Sequence, residues 1–566
     1  MRILLLIHAF NSLSQRAHVE LRAAGHEVSV EFFTNDALAR EAVALWQPDL
    51  ILCPYLKRAV PEDIWRATRT LIVHPGPPGD RGPAALDWAI LRGAREWGVT
   101  VLEARAEMDA GPIWAWRPLA MREATKSSLY RNEVAEAAMA AIFEALEKVA
   151  AGAAPVPLER ADFATGRLNG PVRQSDRAID WARHGVAEVL RRIRASDGVP
   201  GVADEIAGRR LFLHDARPAP GLSGPPGALV ARSGPAVARA CADGAVWIGH
   251  LRDPEAEAPV KLPAVQVLGA AAGELPEVAQ ESSGGYREIA WREEGDVGYL
   301  SFAFLNGAMS TGQCRRLLRA YRAACARPVR VIVLEGGEDF WSNGIHLNRI
   351  EAAASPADES WANINAMDDL AEAIIRTESH LTVAAMAGDA GAGGVFLARA
   401  CDRVWLREGV ILNPHYKDMG NLYGSEFWTY LLPRICGADN ARAITEARLP
   451  MGAAEARALG LADAVLAGSR AAFAQAVAEG AAALARQAPA LLEEKRARRA
   501  ADEARKPLSA YRAEELAQMR RNFYGFDPSY HVARYNFVRK VPKSRTPVTL
   551  ARHRDKRQIP AGRAAS

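Results

Sequence analysis

At 566 residues the chain is too long for a single core, and its length suggests roughly three or four domains. Hydrophobic residues make up 49% and charged residues 24%, the ordinary mix of a soluble globular enzyme, and the net charge of +4 argues against a nucleic-acid-binding protein. The 6 cysteines form no C-x-x-C pair, so neither a zinc ribbon nor a disulfide framework is expected, no metal site is predicted, and free thiols fit the cytoplasm.

The opening MRILLLIHAF breaks at His8 after a short apolar run, which predicts a buried first strand and not a signal peptide. No run of about twenty apolar residues follows, so no membrane span is expected. Residues 2–7, 27–33, 50–54 and 71–74 read as strands and 14–24 and 37–44 as helices, the first of these capped by Ser14. Strands separated by helices imply a doubly wound, mostly parallel sheet whose functional loops follow Ile7, Cys53 and Val73. Residues 169–254, a helix at 175–196 and then short Gly- and Pro-punctuated strands, predict a small β-rich domain. The Ala-, Glu-, Pro- and Gly-rich stretch 255–285 reads as a linker. A second α/β domain spans 286–480, and 481–566 reads as charged helix, mainly 488–517, followed by a basic tail.

Two places carry chemistry. In the run HPGPPGDRG, His74 stands at a strand end; GVTV (98–101) follows, then Asp109 within MDAGPI. A His and an Asp delivered to one strand-end crevice can relocate a proton and steady an oxyanion. In the loop after the first strand, Ser12 and Gln15 could hold polar ligand groups, and Arg131 in YRNEV could meet a carboxylate. These motifs together resemble the folate-dependent formyltransferases over residues 1–168, and IDW (179–181), IRA (193–195), Pro200-Gly201 and Pro226-Gly227 are similar to the small carboxy-terminal domain of methionyl-tRNA formyltransferase. The resemblance implies that His74 and Asp109 are the catalytic pair and that tetrahydrofolate in its N10-formyl form is bound. It also marks a departure: the family's Asn two positions before the His is here Ile72. Losing an oxyanion donor costs on the order of 3 kcal/mol.

The second place is VIVLEGGEDFWSNGIHLN (331–348), followed about fifty residues on by an apolar strand and the loop Gly391-Ala392-Gly393-Gly394. Two strand–glycine loop–helix units can aim two main-chain amides at one carbonyl oxygen, with Ser342 and Asn343 in the turn that would hold the acyl carrier. The pattern, with ACDRV (400–404) and ARLPMGAAEARALGLADAV (447–465), resembles the crotonase (enoyl-CoA hydratase/isomerase) family. That implies coenzyme A binding and an oxyanion hole from the amides of Ile345 and Gly393. Hydratases carry a Glu where this chain has Phe396, and their second Glu aligns with His415, so water addition is not expected. His415, Tyr416, Tyr423 and Glu426 are the candidate acids and bases.

The combination resembles the HypX/HoxX hydrogenase maturation family over the whole chain. It implies formyl transfer from N10-formyltetrahydrofolate to coenzyme A, then decarbonylation to carbon monoxide for a nickel–iron hydrogenase, with maturation proteins or the hydrogenase large subunit as partners and a dry passage for the formyl thioester. Arg539, Lys540, Lys543 and Arg545 would pair with coenzyme A phosphates. The alternatives are a methionyl-tRNA-type formyltransferase and a non-catalytic folate- and coenzyme A-binding scaffold.

Overall fold

The apolar runs that open the chain form, as expected, a doubly wound sheet. The computed structural model describes residues 1–555; residues 556–566, the end of the expected basic tail, lie outside the described residues. The chain divides into two compact units, one comprising residues 1–286 together with the chain from Pro542, the other Arg287–Val541.

In the first unit the strand order is Glu27–Phe32, Arg2–Ile7, Leu50–Cys53, Thr70–His74, Glu96–Glu103 and Ile113–Ala120. The first four strands are parallel and the last two antiparallel. Leu4, Leu5 and Leu6 are all fully buried, which is what a parallel strand covered on both faces requires. The first helix starts earlier than expected, at Ser12: Asn11, not Ser14, is its cap, because the Asn11 side chain accepts the Ser14 amide at 3.0 Å.

The β-rich part is an antiparallel sheet ordered Val202–Ile206, Arg209–Pro218, Gly244–Arg252, Ala236–Cys241 and Leu229–Ser233. The single helix expected at 175–196 is two, Gln174–Arg177 and Val186–Ala195, the second starting afresh after Gly185. The linker expected at 255–285 is also corrected. Lys261–Pro263 is a strand paired with Gly244–Arg252, and Ala264 and Leu268 of the helix Ala264–Leu268 are buried in the same core. Its small apolar residues look like linker composition, yet they fall on one helical face.

The tail packs onto the edge strand of the first sheet. The Phe32 amide donates to Thr546 Oγ1 at 2.7 Å, the Val30 amide to the Leu550 carbonyl at 3.0 Å, and Arg554 pairs with buried Glu31 at 2.8 Å. An edge strand otherwise presents such amides unpaired.

In the second unit one sheet runs Ile289–Glu294, Val297–Phe302, Val331–Glu335, Leu381–Met386, Arg403–Arg407 and Ala464–Leu466. A smaller sheet runs Phe340–Ser342, Asp389–Gly391, Ile411–Asn413 and Met451–Gly452. The helix Arg470–Arg505, which begins well before the expected 488, lays Phe473, Val477, Ala481, Ala485 and Ala488 against Val331, Val333 and Val383 of the larger sheet. Lys495 of this helix pairs with Asp402 at 2.6 Å, and Asp402 also accepts the Thr382 amide at 2.8 Å.

Candidate active sites

Of the three loops singled out in the first unit, those after the first and third strands meet. The His8 amide donates to the Tyr55 carbonyl at 2.9 Å and the Lys57 amide to His8 Nδ1 at 3.1 Å, joining the loops after the first and third strands. Tyr130 closes the same corner, packing edge-on to Tyr55 and bonded to Asn11; burial pushes its phenol up. Ser12 begins the first helix, and Gln15 Nε2 donates to the Phe10 carbonyl at 2.9 Å. Arg131 lies in a π-turn, Tyr130–Val134, a widening of the helix that often marks functional sites.

His74 ends the strand Thr70–His74 and is only 4% exposed. Its Nε2 faces Asp80 Oδ2 at 2.9 Å and its Nδ1 faces Asp109 Oδ2 at 3.4 Å. The pairing of His74 with Asp109 was expected; Asp80 was not, although it lies inside the motif. Asp80 is anchored by Asn169 Nδ2 at 2.9 Å, and Asp109, at φ +55°, accepts the Gly82 amide at 3.1 Å. Gly76 sits so close that a Cβ there would lie 2.5 Å from His74 Nε2, so only glycine admits this ring position. Ile72 joins the apolar cluster around Ile51 and Cys53, and the polar group beside the imidazole is supplied by Asp80. Both ring nitrogens already face carboxylates. The 3.4 Å contact, longer than an ideal hydrogen bond, is the one more readily given up to a reacting group.

In the second unit the smaller sheet brings the two glycine turns together. Phe340–Ser342 and Asp389–Gly391 pair in parallel, so both chains leave the sheet side by side. A Cβ on Gly344, at φ +75°, would lie 3.4 Å from the Gly393 nitrogen. Ser342 Oγ accepts the Gly344 amide at 3.1 Å and Asn343 Nδ2 donates to the Asn306 carbonyl at 2.8 Å, so these two side chains hold the turn. Among the described residues, neither the Ile345 nor the Gly393 amide has an acceptor.

A carboxyl group stands against this turn. Glu426 packs on Gly393, where no Cβ would fit, and its Oε2 receives the Tyr416 hydroxyl at 2.6 Å. Phe396, in the place of the hydratase Glu, is fully buried and stacks on Tyr416 with ring centroids 5.3 Å apart. Its apolar face therefore positions the phenol. His415 and Tyr423 are not brought into this pair. Among the described residues neither is hydrogen-bonded to Tyr416 or Glu426; His415 Nδ1 is buried without a partner, and half-exposed Tyr423 packs on Trp428. Burial lowers the proton affinity of His415 and raises that of the Tyr423 phenol.

Two further buried carboxyls, Asp368 and Glu515, surround Glu426. They come from distant helices, with no motif in the sequence to announce them. Burial is the largest cause that raises the proton affinity of all three, reinforced by mutual repulsion, and Glu515 is pushed up to about 8. A carboxyl raised in the folded state holds a proton that the unfolded chain has released. Its stabilising contribution is complete below the ordinary carboxylate range and is lost as pH rises through the folded value. Denaturant titrations of the full chain should show stability of the second unit falling, on the order of a few kcal/mol, between the ordinary Glu range and about pH 8, with Glu515→Gln flattening the slope.

The expected basic cluster is divided by the fold. Arg539 pairs with Glu351 at 3.3 Å in the second unit, where Lys540 lies over Phe537; Lys543 lies over Phe32 and Arg545 pairs with Glu41 at 3.2 Å in the first.

Similarity to known proteins follows this division. Residues 13–146 match the formyl transferase family, 171–261 the formyl transferase carboxy-terminal domain, and 307–540 the enoyl-CoA hydratase/isomerase family. Fold and sites thus define a class, a formyltransferase with its companion domain joined to a crotonase-like domain. A hydrogenase maturation factor HoxX from Bradyrhizobium diazoefficiens is 58% identical, covering 100% of both chains. The crystal structure of HypX from Aquifex aeolicus in complex with tetrahydrofolic acid is 47% identical, with a TM-score of 0.94 over 98% of this chain and 99% of that one. A methionyl-tRNA formyltransferase from Anaeromyxobacter dehalogenans is 34% identical over only 29% of this chain and 53% of its own length. The tRNA-type alternative therefore accounts for the first part of the chain alone. The chain belongs to the HoxX/HypX family of hydrogenase maturation factors. Among the described residues, no helix is long and apolar enough to cross a membrane.

Proposed function

We propose that the protein transfers a formyl group from N10-formyltetrahydrofolate to coenzyme A and then decarbonylates formyl-CoA, releasing carbon monoxide for nickel–iron hydrogenase maturation. In the first step the thiol sulfur attacks the formyl carbon, the carbon–nitrogen bond breaks, and the thiol proton ends on the folate nitrogen. His74, held between Asp80 and Asp109, is placed to carry that proton. Ser12, Gln15 and Arg131 would hold folate, which the Aquifex aeolicus relative binds. Lys543 and Arg545 are the candidates for coenzyme A phosphates, and Ser342 and Asn343 shape the turn that receives the thioester.

In the second step the Ile345 and Gly393 amides would polarise the formyl oxygen. Glu426 takes the formyl proton, the carbon keeps that electron pair as carbon monoxide, and the carbon–sulfur bond breaks with its electrons leaving on sulfur. The same proton then passes to the thiolate, so nothing is consumed but formyl-CoA. The observation that carries this reading is one free amide pair beside one acid–phenol pair, with Phe396 where a hydratase would activate water. We assign no step to His415 or Tyr423. Incubating the protein with formyltetrahydrofolate and coenzyme A, and trapping the gas with deoxyhaemoglobin, should give carbon monoxide equal to the formyl group lost. Folate turnover that yields only formate would reject decarbonylation.

A further inference from the structure

Ser425, Glu426 and Phe427 form a tight turn that starts the helix Trp428–Cys436, and its backbone is costly. Glu426 and Phe427 are both left-handed, at φ +58° and +62°, and neither is glycine. Such residues persist only where their surroundings over-determine them. Here two carboxyls do so. Asp368, on the helix Pro356–Ile375, accepts the Glu426 amide at 2.9 Å. Glu515, on the helix Leu508–Tyr524, accepts the Phe427 amide at 2.9 Å and the Thr429 amide at 2.8 Å. The turn is therefore tied from two sides, and its strain aims the Glu426 carboxyl at Gly393.

The hydrogen bonds also count protons. Ser425 Oγ lies 2.8 Å from Asp368 Oδ2 and 3.3 Å from Glu515 Oε2. A hydroxyl has one hydrogen, so it satisfies one of these oxygens; the other contact is favourable only if that carboxyl is protonated and donates to Oγ. A proton held on Asp368 or Glu515 would satisfy both contacts through Ser425. A parallel arrangement surrounds Tyr416, whose hydroxyl lies 2.6 Å from Glu426 Oε2 and 3.0 Å from the Ser425 carbonyl. With Glu426 ionised, the phenol donates to it. With Glu426 protonated, the acid donates to the phenol oxygen and the phenol turns to the Ser425 carbonyl. The same residue, Ser425, reads both proton positions.

We propose that Asp368 and Glu515 are positioning residues for the proton step: they hold the turn that aims Glu426 and, through a proton they share at Ser425, set the pH at which Glu426 accepts a proton. This rests on the proposed decarbonylation for its chemistry, though not for its test. The groups facing the cluster support it. The cation nearest in effect to Asp368 is Arg512, which is itself paired with Asp369 at 2.6 Å and Glu372 at 2.9 Å. Glu426 faces Asp368, Glu515, Tyr416 and the buried thiol of Cys314, on the helix Thr311–Ala324. Glu515 faces Asp368, Thr429, Ser425 and, at a greater remove, Tyr423. Burial first, and then repulsion from Asp368 and Glu515, raises Glu426 toward neutrality, where a single carboxyl can both take a proton from carbon and give it back to sulfur.

The test uses full-length protein with Asp368→Asn and, as a second variant should the first fail to fold, Glu515→Gln. Both remove a charge; Asn at 368 keeps an oxygen acceptor for the Glu426 amide, and Gln at 515 keeps one for either the Phe427 or the Thr429 amide. Infrared difference titration of the ligand-free protein, with the Glu426 band assigned by its loss in Glu426→Gln, follows the acid directly. We expect the Glu426 midpoint to fall by about one pH unit in either variant, and the acid limb of the carbon monoxide release rate to move with it. A Glu426 midpoint in the ordinary carboxylate range in the unsubstituted protein, or one unmoved by either substitution, overturns the inference. Should no carbon monoxide be released at all, the functional reading falls while the titration still decides the linkage.

Discussion

Glu426→Gln should cut carbon monoxide release sharply while leaving formyl transfer intact. The substitution preserves the size of the side chain and a hydrogen-bonding partner for Tyr416, but an amide cannot accept the formyl proton at working pH. General acid–base groups contribute about a hundredfold to ten-thousandfold, so release should fall by roughly a thousandfold. Formyltetrahydrofolate consumption should continue, with formyl-CoA or its hydrolysis product formate accumulating in step. Tyr416→Phe keeps the ring stacked on Phe396 but removes the donor at 2.6 Å, and should cost less than the loss of Glu426 itself. Chromatographic quantification of formyl-CoA beside trapped carbon monoxide separates the two steps. Equal loss of both activities in Glu426→Gln would contradict the division of labour between the two units.

The mirror-image result is expected at His74. His74→Asn removes the proton carrier held between Asp80 and Asp109, and formyl transfer should fall by about two to four orders of magnitude. The same variant supplied with synthetic formyl-CoA should release carbon monoxide at the unsubstituted rate, because the groups assigned to the second step belong to the other unit. Carbon monoxide lost from supplied formyl-CoA would show that His74 serves the whole reaction or that the variant is misfolded; circular dichroism separates these.

Much of this site was legible in the chain. His74 and Asp109 each stand in a motif whose neighbours, strand before and turn after, are local. The two glycine turns were legible for the same reason, since a strand running into glycines and then a helix needs only adjacent residues to specify it. Asp80 was overlooked although it lies six residues from His74. Its side chain becomes a partner of the imidazole only because the loop folds back, with Asn169 holding it from a segment far along the chain. The cap at Asn11 in place of Ser14, and the folded residues within 255–285, were misread because composition and local pattern do not show what a side chain will reach.

The sequence by itself determined the class of each domain and their order, through local motifs that resemble known families, and it placed the pair of glycine turns, because each needs only adjacent residues. The tertiary structure decided which acids matter. Asp368 and Glu515 lie on separate helices, where each reads alone as one more charged residue, and only the fold brings them to Glu426, which the sequence already offers as a candidate. Their proton affinities rise only when packing removes water from all three and sets like charges together, an effect of distance and dielectric that no spacing along the chain encodes. It likewise decided that Tyr416, and neither His415 nor Tyr423, is bonded to Glu426, since candidates within a dozen residues of one another are distinguished only by the direction in which the folded backbone turns them.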